Sequence, residues 1–365
     1  MKLKRHRKLA MVMAVVMVLS VAFMAACSSP EPAPAADPAP APATTDAPAP
    51  PPADDTTYIM RIGCGAGGGN PQIKFMDELK ILVEDMSDGR LVIENYPSSQ
   101  FGTMAQMLQG IQDGSLGAML APSNYYSAVV PEMVVLDIPG IFDDTAHLAR
   151  TFMNNPSPFD DALAAAGLIP MEWLYLNDMM LIGNKNITSI GDLRGLKVWC
   201  NPGVVVQMNL EVLGLSPSLL DTGELVSAMQ SGTIDMAFAG APLFFPFGFA
   251  DIADYLMLYP RMPATATFMV SQAWMDTIPA DLQGILRDAA AIVNNEVVYE
   301  YGIGFQQTCI DGLTDGGVTA LEVVGTPLQA EIDAAMATVG PDYLAQFPDH
   351  QWAYDAVVAL AATSR

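Results

Sequence analysis

The stretch that most limits what this chain can fold into runs from Asp192 to Gly240 and reads DLRGLKVWCNPGVVVQMNLEVLGLSPSLLDTGELVSAMQSGTIDMAFAG. Residues 196–200 are short, apolar and bounded by turn residues, Gly195 before them and Asn201-Pro202-Gly203 after them, which predicts a buried strand. Residues 204–213 place apolar side chains at helical spacing, and Gly214 stops them. Thr222-Gly223-Glu224 opens a second helix that runs to Gln230, and Gly232 supplies a residue suited to the left-handed stop. Residues 234–238 form a second strand. Strand, helix, helix, strand with short turns is the crossover that parallel strands require. Ligands of open α/β sheets sit beyond the carboxyl ends of such strands. Here those ends are Trp199-Cys200-Asn201 and Phe238-Ala239-Gly240.

The alternation continues on both sides. Residues 59–64 predict a strand, 65–71 a glycine-rich loop, and 72–86 a helix with Ile73, Met76, Leu79, Leu82, Val83 and Met86 on one side. A strand at 91–95, a helix at 104–112 ended by Gly114, and a strand at 116–121 follow. Residues 122–126 are a loop at a strand end. Residues 144–166 read as helical, 168–176 as a strand, and 179–184 lead on toward Asp192. After Gly240 comes a run with Pro242, Phe244, Phe245, Pro246, Phe247 and Phe249, either an aromatic wall or core. Strands at 255–259 and 264–271 flank Arg261. From Asp281, apolar positions recur through Ile285 to Phe305 and on toward Ile310, a helical pattern of about thirty residues and about 45 Å at 1.5 Å per residue. A strand at 318–323 and helix from Pro327 onward complete the chain. Residues 112–119 echo 230–237: each is helix, glycine stop, apolar strand. Unless that echo is chance, it predicts two similarly built lobes facing one cleft.

The net charge of −24 leaves no basic surface of the kind nucleic acid needs, so no nucleic-acid partner is expected. The few basic residues are partly spent at the N-terminus. Residues 2–8 are basic, 9–26 are apolar, and Met24-Ala25-Ala26-Cys27 ends the segment. This predicts a signal peptide over 1–26 with lipidation at Cys27, or alternatively an uncleaved anchor. Residues 27–57, rich in Pro and Ala, cannot bury a core and form a linker. Beyond Cys27, three cysteines remain, Cys64, Cys200 and Cys309, an odd number without CxxC spacing. Three scattered histidines offer no metal cluster. The glycine-rich loop lacks GxxxxGK[ST] and fits GxGxxG poorly. No SxxK, GxSxG or HExxH is present, so no catalytic residue, metal or cofactor is expected.

Several segments resemble the DctP-type solute-binding proteins of TRAP transporters, the tripartite ATP-independent periplasmic transporters. The family pattern DLxGxKxR appears as Asp192-Leu193-Arg194-Gly195-Leu196-Lys197, followed by Leu213-Gly214, Pro217, Glu224 and Gly232-Thr233-Ile234-Asp235. SDGRLVIENYPSSQFG at 87–102 and PEMVVLDIPGIF at 131–142 are similar to two further family segments. The resemblance covers about residues 58–350. It implies an α/β, two-lobed periplasmic-binding-protein-like fold, each lobe a sheet flanked by helices, with a long helix spanning both. Lobe I would take 58–178 plus about 265–303, and lobe II 179–264 plus about 304–365.

The resemblance further implies an extracytoplasmic receptor that closes on a small solute and delivers it to TRAP membrane subunits, tethered to the membrane through its lipid. The implied ligand-binding residues are Asn70, Ser123, Asn124, Tyr125, Trp199, Asn201, Phe238, Ala239 and Phe244. One position departs from the pattern: Trp199 stands where the family has a signature Arg that pairs with a ligand carboxylate. Nor does the stretch from Tyr175 to Asp178 offer a second Arg. An indole has one donor and no charge. A neutral, aromatic or cationic solute is therefore weighed beside an organic acid, for which Lys74, Lys197 and Arg261 remain as cations. Two other readings stay open: a sensing protein of a signalling system on the same fold, and a metal or redox protein using Cys64 and Cys200.

Overall fold

The computed structural model describes residues 56–365 except 154, 221, 260 and 261, and Asp55–Arg365 form one compact unit. The expected signal peptide, Cys27 and nearly all of the linker lie outside the described residues, as does Arg261.

Eleven strands among the described residues form two sheets. They are β1 (Tyr58–Cys64), β2 (Leu91–Tyr96), β3 (Ala118–Pro122), β4 (Leu168–Asp178), β5 (Met180–Gly183), β6 (Lys197–Trp199), β7 (Ser216–Ser218), β8 (Met236–Ala239), β9 (Tyr255–Leu258), β10 (Pro263–Ser271) and β11 (Thr319–Glu322). The first sheet has the order β2-β1-β3-β10-β4 and the second β11-β9-β5-β8-β6-β7. In each, a parallel core meets an antiparallel strand that arrives from the other sheet: β10 lies antiparallel to β3, and β5 antiparallel to β8. The two-lobed, mixed α/β architecture expected from the sequence is thus present.

The chain crosses between sheets three times. β4 passes into β5 at Met179, β9 returns to β10, and a helical course runs from Ala280–Val293 through a π turn at Asn294–Val298 into Tyr299–Asp315. The first part of that helix packs on the helix Pro71–Met86 and on β4; the last part packs on Ala241–Phe244. Met179 N donates to Met262 O at 3.0 Å, tying the first two crossings together.

Burial follows the period-two alternation of strands. One face of the first sheet buries Met60, Ile62 and Phe268 against Phe75, Leu79 and Leu286. One face of the second buries Trp199, Ala237 and Leu256 against Phe244, Phe249 and Leu313. The opposite faces of both sheets share a single apolar cluster that includes Met119, Trp173, Val198, Phe238, Leu210 and Tyr343. The last helix, Gln351–Ala362, closes back on Thr145–Met153, where His147 Nε2 donates to Ala361 O at 2.9 Å.

Four local expectations are corrected. The stretch 196–240 holds a third strand, β7, which pairs in parallel with β6 at the sheet edge; an edge is where a strand tolerates Pro217. Residues 144–166 are two helices, Thr145–Met153 and Asp160–Ala165, separated where Pro156 and Pro158 break the helical backbone. The loop after β3 is a 3-10 helix, Ser123–Ala128. The Phe-rich run contains a helical turn, Ala241–Phe244. The two echoing glycine stops match closely, with φ of 80° at Gly114 and 70° at Gly232.

Candidate functional site

The strand directions bring four carboxyl ends to one place. β1 and β3 end at Cys64 and Pro122, and β10 begins beside Pro122, with Ala266 opposite it. β6 and β8 end at Trp199 and Ala239, and Met180 at the start of β5 pairs with Ala239. Both sets of ends therefore face the strands that cross between the sheets. Open α/β sheets bind their ligands beyond such strand ends.

A polar node fixes the crossings. Asp178, at the end of β4, accepts from Thr145 N at 2.9 Å and from Gln306 Nε2 at 3.0 Å, while its own N–H donates to Gln306 Oε1 at 2.6 Å. Thr145 Oγ1 donates to Asn177 O at 2.8 Å and accepts from Ala264 N at 3.2 Å. Burial raises the Asp178 carboxyl above its ordinary value, against the pull of these hydrogen bonds. Both crossing strands and the long helix thus meet in one network.

The structure brings some of the expected residues together. Asn124 Nδ2 donates to Pro202 O at 3.3 Å, so the turn after β3 touches the loop after β6, in which Asn201 is half-buried. Ser123 sits behind it with its hydroxyl 2.7 Å from Thr265 Oγ1 and 2.8 Å from Thr267 Oγ1, a buried hydroxyl cluster on the return crossing. Tyr125 is half-buried, and burial raises its phenol.

Other expected residues have structural partners. Asn70 caps the helix Pro71–Met86, its Oδ1 accepting from Gln72 N at 3.0 Å. The glycine loop before it rests on the long helix: Tyr301 Oη donates to Gly69 O at 2.6 Å, and a Cβ on Gly69 would lie 2.9 Å from Phe305. Gly69 serves close packing here, whereas Gly68 takes a left-handed φ of 63°. Trp199 is 2% exposed, and its Nε1 donates to Leu220 O at 2.9 Å. Phe244 packs beside it against Phe249, ring centroids 5.1 Å apart. Ala239 lies in that same core, whereas Phe238 points to the opposite face of the sheet. The exposed rings of the Phe-rich run are Phe245 and Phe247.

Sequence reasoning missed Asn177. It is buried beside the node, yet among the described residues its carboxamide makes one hydrogen-bond contact, Nδ2 to Met179 Sδ at 3.5 Å. It lies over Gly240, the residue after β8. No local signal joins these two positions, which are far apart in the chain.

Of the cations weighed for an anionic solute, Lys74 is paired with Glu78, and Lys197 is exposed at the amino end of β6. Other basic side chains are also engaged: Arg61 with Glu94, Lys80 with Glu84, Arg90 with Asp281, Lys185 with Asp192 O and Arg150 with Tyr299 Oη. The three cysteines are buried and free. Burial pushes the Cys64 thiol up to about 12 and those of Cys200 and Cys309 to about 11. Thiolate chemistry needs the opposite shift. Cys64 and Cys200 also lie in different apolar clusters.

The comparisons with known proteins agree with this geometry. The DctP family model, described as bacterial extracellular solute-binding protein, family 7, matches residues 62–346. The 2,3-diketo-L-gulonate-binding periplasmic protein YiaO of Escherichia coli is 24% identical over 248 residues, 66% of this chain and 74% of that protein. The sugar acid binding protein DctPAm of Advenella mimigardefordensis, solved with galactonate, superposes with a TM-score of 0.77 at 20% identity, covering 86% of this chain and all of that one. A TRAP periplasmic solute binding protein of Anaerococcus prevotii, solved with glucuronate, gives 0.75 at 19% identity over 84% of this chain and 99% of its own. The chain belongs to the DctP family, whose members are the extracytoplasmic solute receptors of TRAP transporters.

Proposed function

We propose that this receptor captures a small hydroxylated organic acid of the sugar-acid class between its two sheets. The observation that carries the reading is the convergence of the strand ends across the Asn124–Pro202 contact. It gives a binding position lined by neutral polar groups: Asn124, Asn177, Asn201 and the hydroxyls behind them. The sugar-acid complexes of structurally similar proteins support the same class. Residues 58–178 with about 265–303 would form one lobe, and 179–264 with about 304–365 the other. The helix Gln351–Ala362 would then brace the second lobe against Thr145–Met153.

Solute would favour the closed arrangement by its higher affinity for it, and the loaded protein would dock on the membrane subunits. No catalytic step is needed for this role. Lipidation at Cys27 would hold the protein at the membrane, with the Pro-rich linker as a spacer. Trp199 is taken up by the core, so the proposed partner of the carboxylate is Arg261, two residues after Tyr259 in sequence.

A thermal-shift screen tests the reading. A solute at a hundred times its Kd adds about 2.7 kcal/mol, which is several degrees. Galactonate, glucuronate or gulonate should shift the wild-type protein, and Arg261→Ala should remove most of the shift. Shifts from aromatic or cationic metabolites alone would replace the sugar-acid class with those solutes.

A further inference from the structure

Asn177 is 7% exposed, and a carboxamide so buried ordinarily has conventional partners for both its donor and its acceptor. Among the described residues its carboxamide hydrogen-bonds only to a thioether, a weak acceptor, at 3.5 Å. Its backbone, by contrast, is engaged, with O accepting from Thr145 Oγ1. The side chain stands at the meeting point of the strand ends, where Asp178 pairs with Pro263 and Met180 with Ala239.

Gly240 supplies a second, independent observation. Its φ of −84° and ψ of 155° suit any residue, so backbone conformation does not call for glycine. Space does: a Cβ there would lie 2.2 Å from Asn177 Cγ, 2.4 Å from Nδ2 and 2.6 Å from Oδ1. Every other side chain at 240 would displace the carboxamide.

We infer that Asn177 reads a hydroxyl group of the captured solute, and that Gly240 keeps the place in which its carboxamide stands. A carboxamide presents donors and an acceptor without charge, which complements a hydroxyl that both gives and takes a hydrogen bond. A bare carboxylate takes the amide N–H but has nothing to donate to Oδ1. A site built around such a bond rejects the analogue that lacks the hydroxyl, because the buried amide is then left unpaired. The ligand class is therefore a polyhydroxylated acid rather than a plain carboxylate of the same length. This deepens the sugar-acid reading above and rests on it.

The test is calorimetric titration of the full-length protein with galactonate, glucuronate, gulonate and the hydroxyl-free hexanoate. The wild type should bind at least one of the hydroxylated acids and reject hexanoate. Asn177→Ala should weaken that binding about tenfold, and Asn177→Ser, which restores a hydroxyl, should recover part of it. Gly240→Ala keeps Asn177 but displaces it, so it should weaken binding to a similar degree. Unchanged affinity in Asn177→Ala and Gly240→Ala overturns this inference and leaves the receptor reading standing. Equal binding of hexanoate and the hydroxylated acids overturns it as well. A wild-type protein that binds none of the hydroxylated acids overturns both.

Discussion

The two sheets share a wiring plan and differ in how they are held. In the first, β4 runs for 11 residues, β10 for 9 and β1 for 7. In the second, no strand exceeds 4 residues. A long ladder supplies its own register through many backbone hydrogen bonds. A short one must borrow it from side chains and stops, and the second sheet does so at several points. Lys197 N donates to Asp235 Oδ2 at 2.8 Å, the Trp199 indole donates to Leu220 O, and Asp192 accepts from Thr188 N at 3.0 Å and Ser189 N at 2.9 Å. The first sheet is thus a scaffold in its own right. The second is an assembly of short strands pinned by individual side chains, and it should open first.

The largest effect expected from that contrast is at the two buried tryptophans. Trp199→Ala removes the indole from the core of the second sheet and leaves Leu220 O without its donor. Trp173→Ala removes a ring on β4 of the first sheet that stacks on Phe152, centroids 4.4 Å apart. Each should cost about 3–5 kcal/mol in urea unfolding. Hydrogen exchange separates them. Trp199→Ala should expose β6 and β8 while the amides of β1, β3 and β10 stay protected, whereas Trp173→Ala should lower protection in both sheets. Equal loss in both sheets from Trp199→Ala would break the contrast.

A smaller effect has opposite signs in the two regions. Burial raises the Glu172 carboxyl on β4 to about 7, against the hydrogen bond it accepts from Asn294 Nδ2 at 2.8 Å. The folded state then holds a proton that the unfolded chain releases near pH 4.3. This contribution is present below that pH and is lost as pH rises to about 7. Glu172→Gln should flatten the decline, worth about 3–4 kcal/mol at pH 8. Part of the slope should remain, since burial raises Asp137 to about 7 as well. Asp192, before β6, behaves in reverse: hydrogen bonds from Thr188 and Ser189 lower it to about 2. Its contribution is complete above about pH 4 and disappears as pH falls toward 2. Asp192→Asn should therefore destabilise at neutral pH and flatten the acid limb, the gap from wild type closing as pH falls toward 2. Unfolding midpoints from pH 2 to 8 check both signs.

What could be read in the sequence was what short range determines. The crossover from Asp192 to Gly240 was legible because glycine stops, turn residues and apolar periodicity all act within a few residues. The position of Trp199 and Gly240 at strand ends followed from the same signals. β7 was hidden because Ser-Pro-Ser carries no apolar pattern; its pairing comes from β6. The node of Asp178, Thr145 and Gln306, and the seat of Asn177 on Gly240, join segments distant in the chain. Nothing local marks them. Trp199 was read as an open ligand surface because the indole's acceptor, Leu220 O, is chosen by tertiary packing.

The smallest predicted difference tests the echo between the two regions most directly. Gly114 precedes β3 and Gly232 precedes β8, with φ of 80° and 70°. An alanine at either must adopt the left-handed conformation, at a cost of about 1 kcal/mol. The surroundings differ. A Cβ at 114 would meet Ala273 Cβ at 3.1 Å and Trp274 N at 3.6 Å, in the short helix Gln272–Met275, whereas nothing lies within 4 Å of one at 232. With the conformational cost matched, Gly114→Ala should be the more destabilising, by about 1 kcal/mol for the added crowding. Chemical unfolding of the two single variants measures that difference. A larger cost for Gly232→Ala would mean that the glycine stop contributes more to a sheet of short strands than packing contributes to a sheet of long ones, and would sharpen the contrast at its most local point.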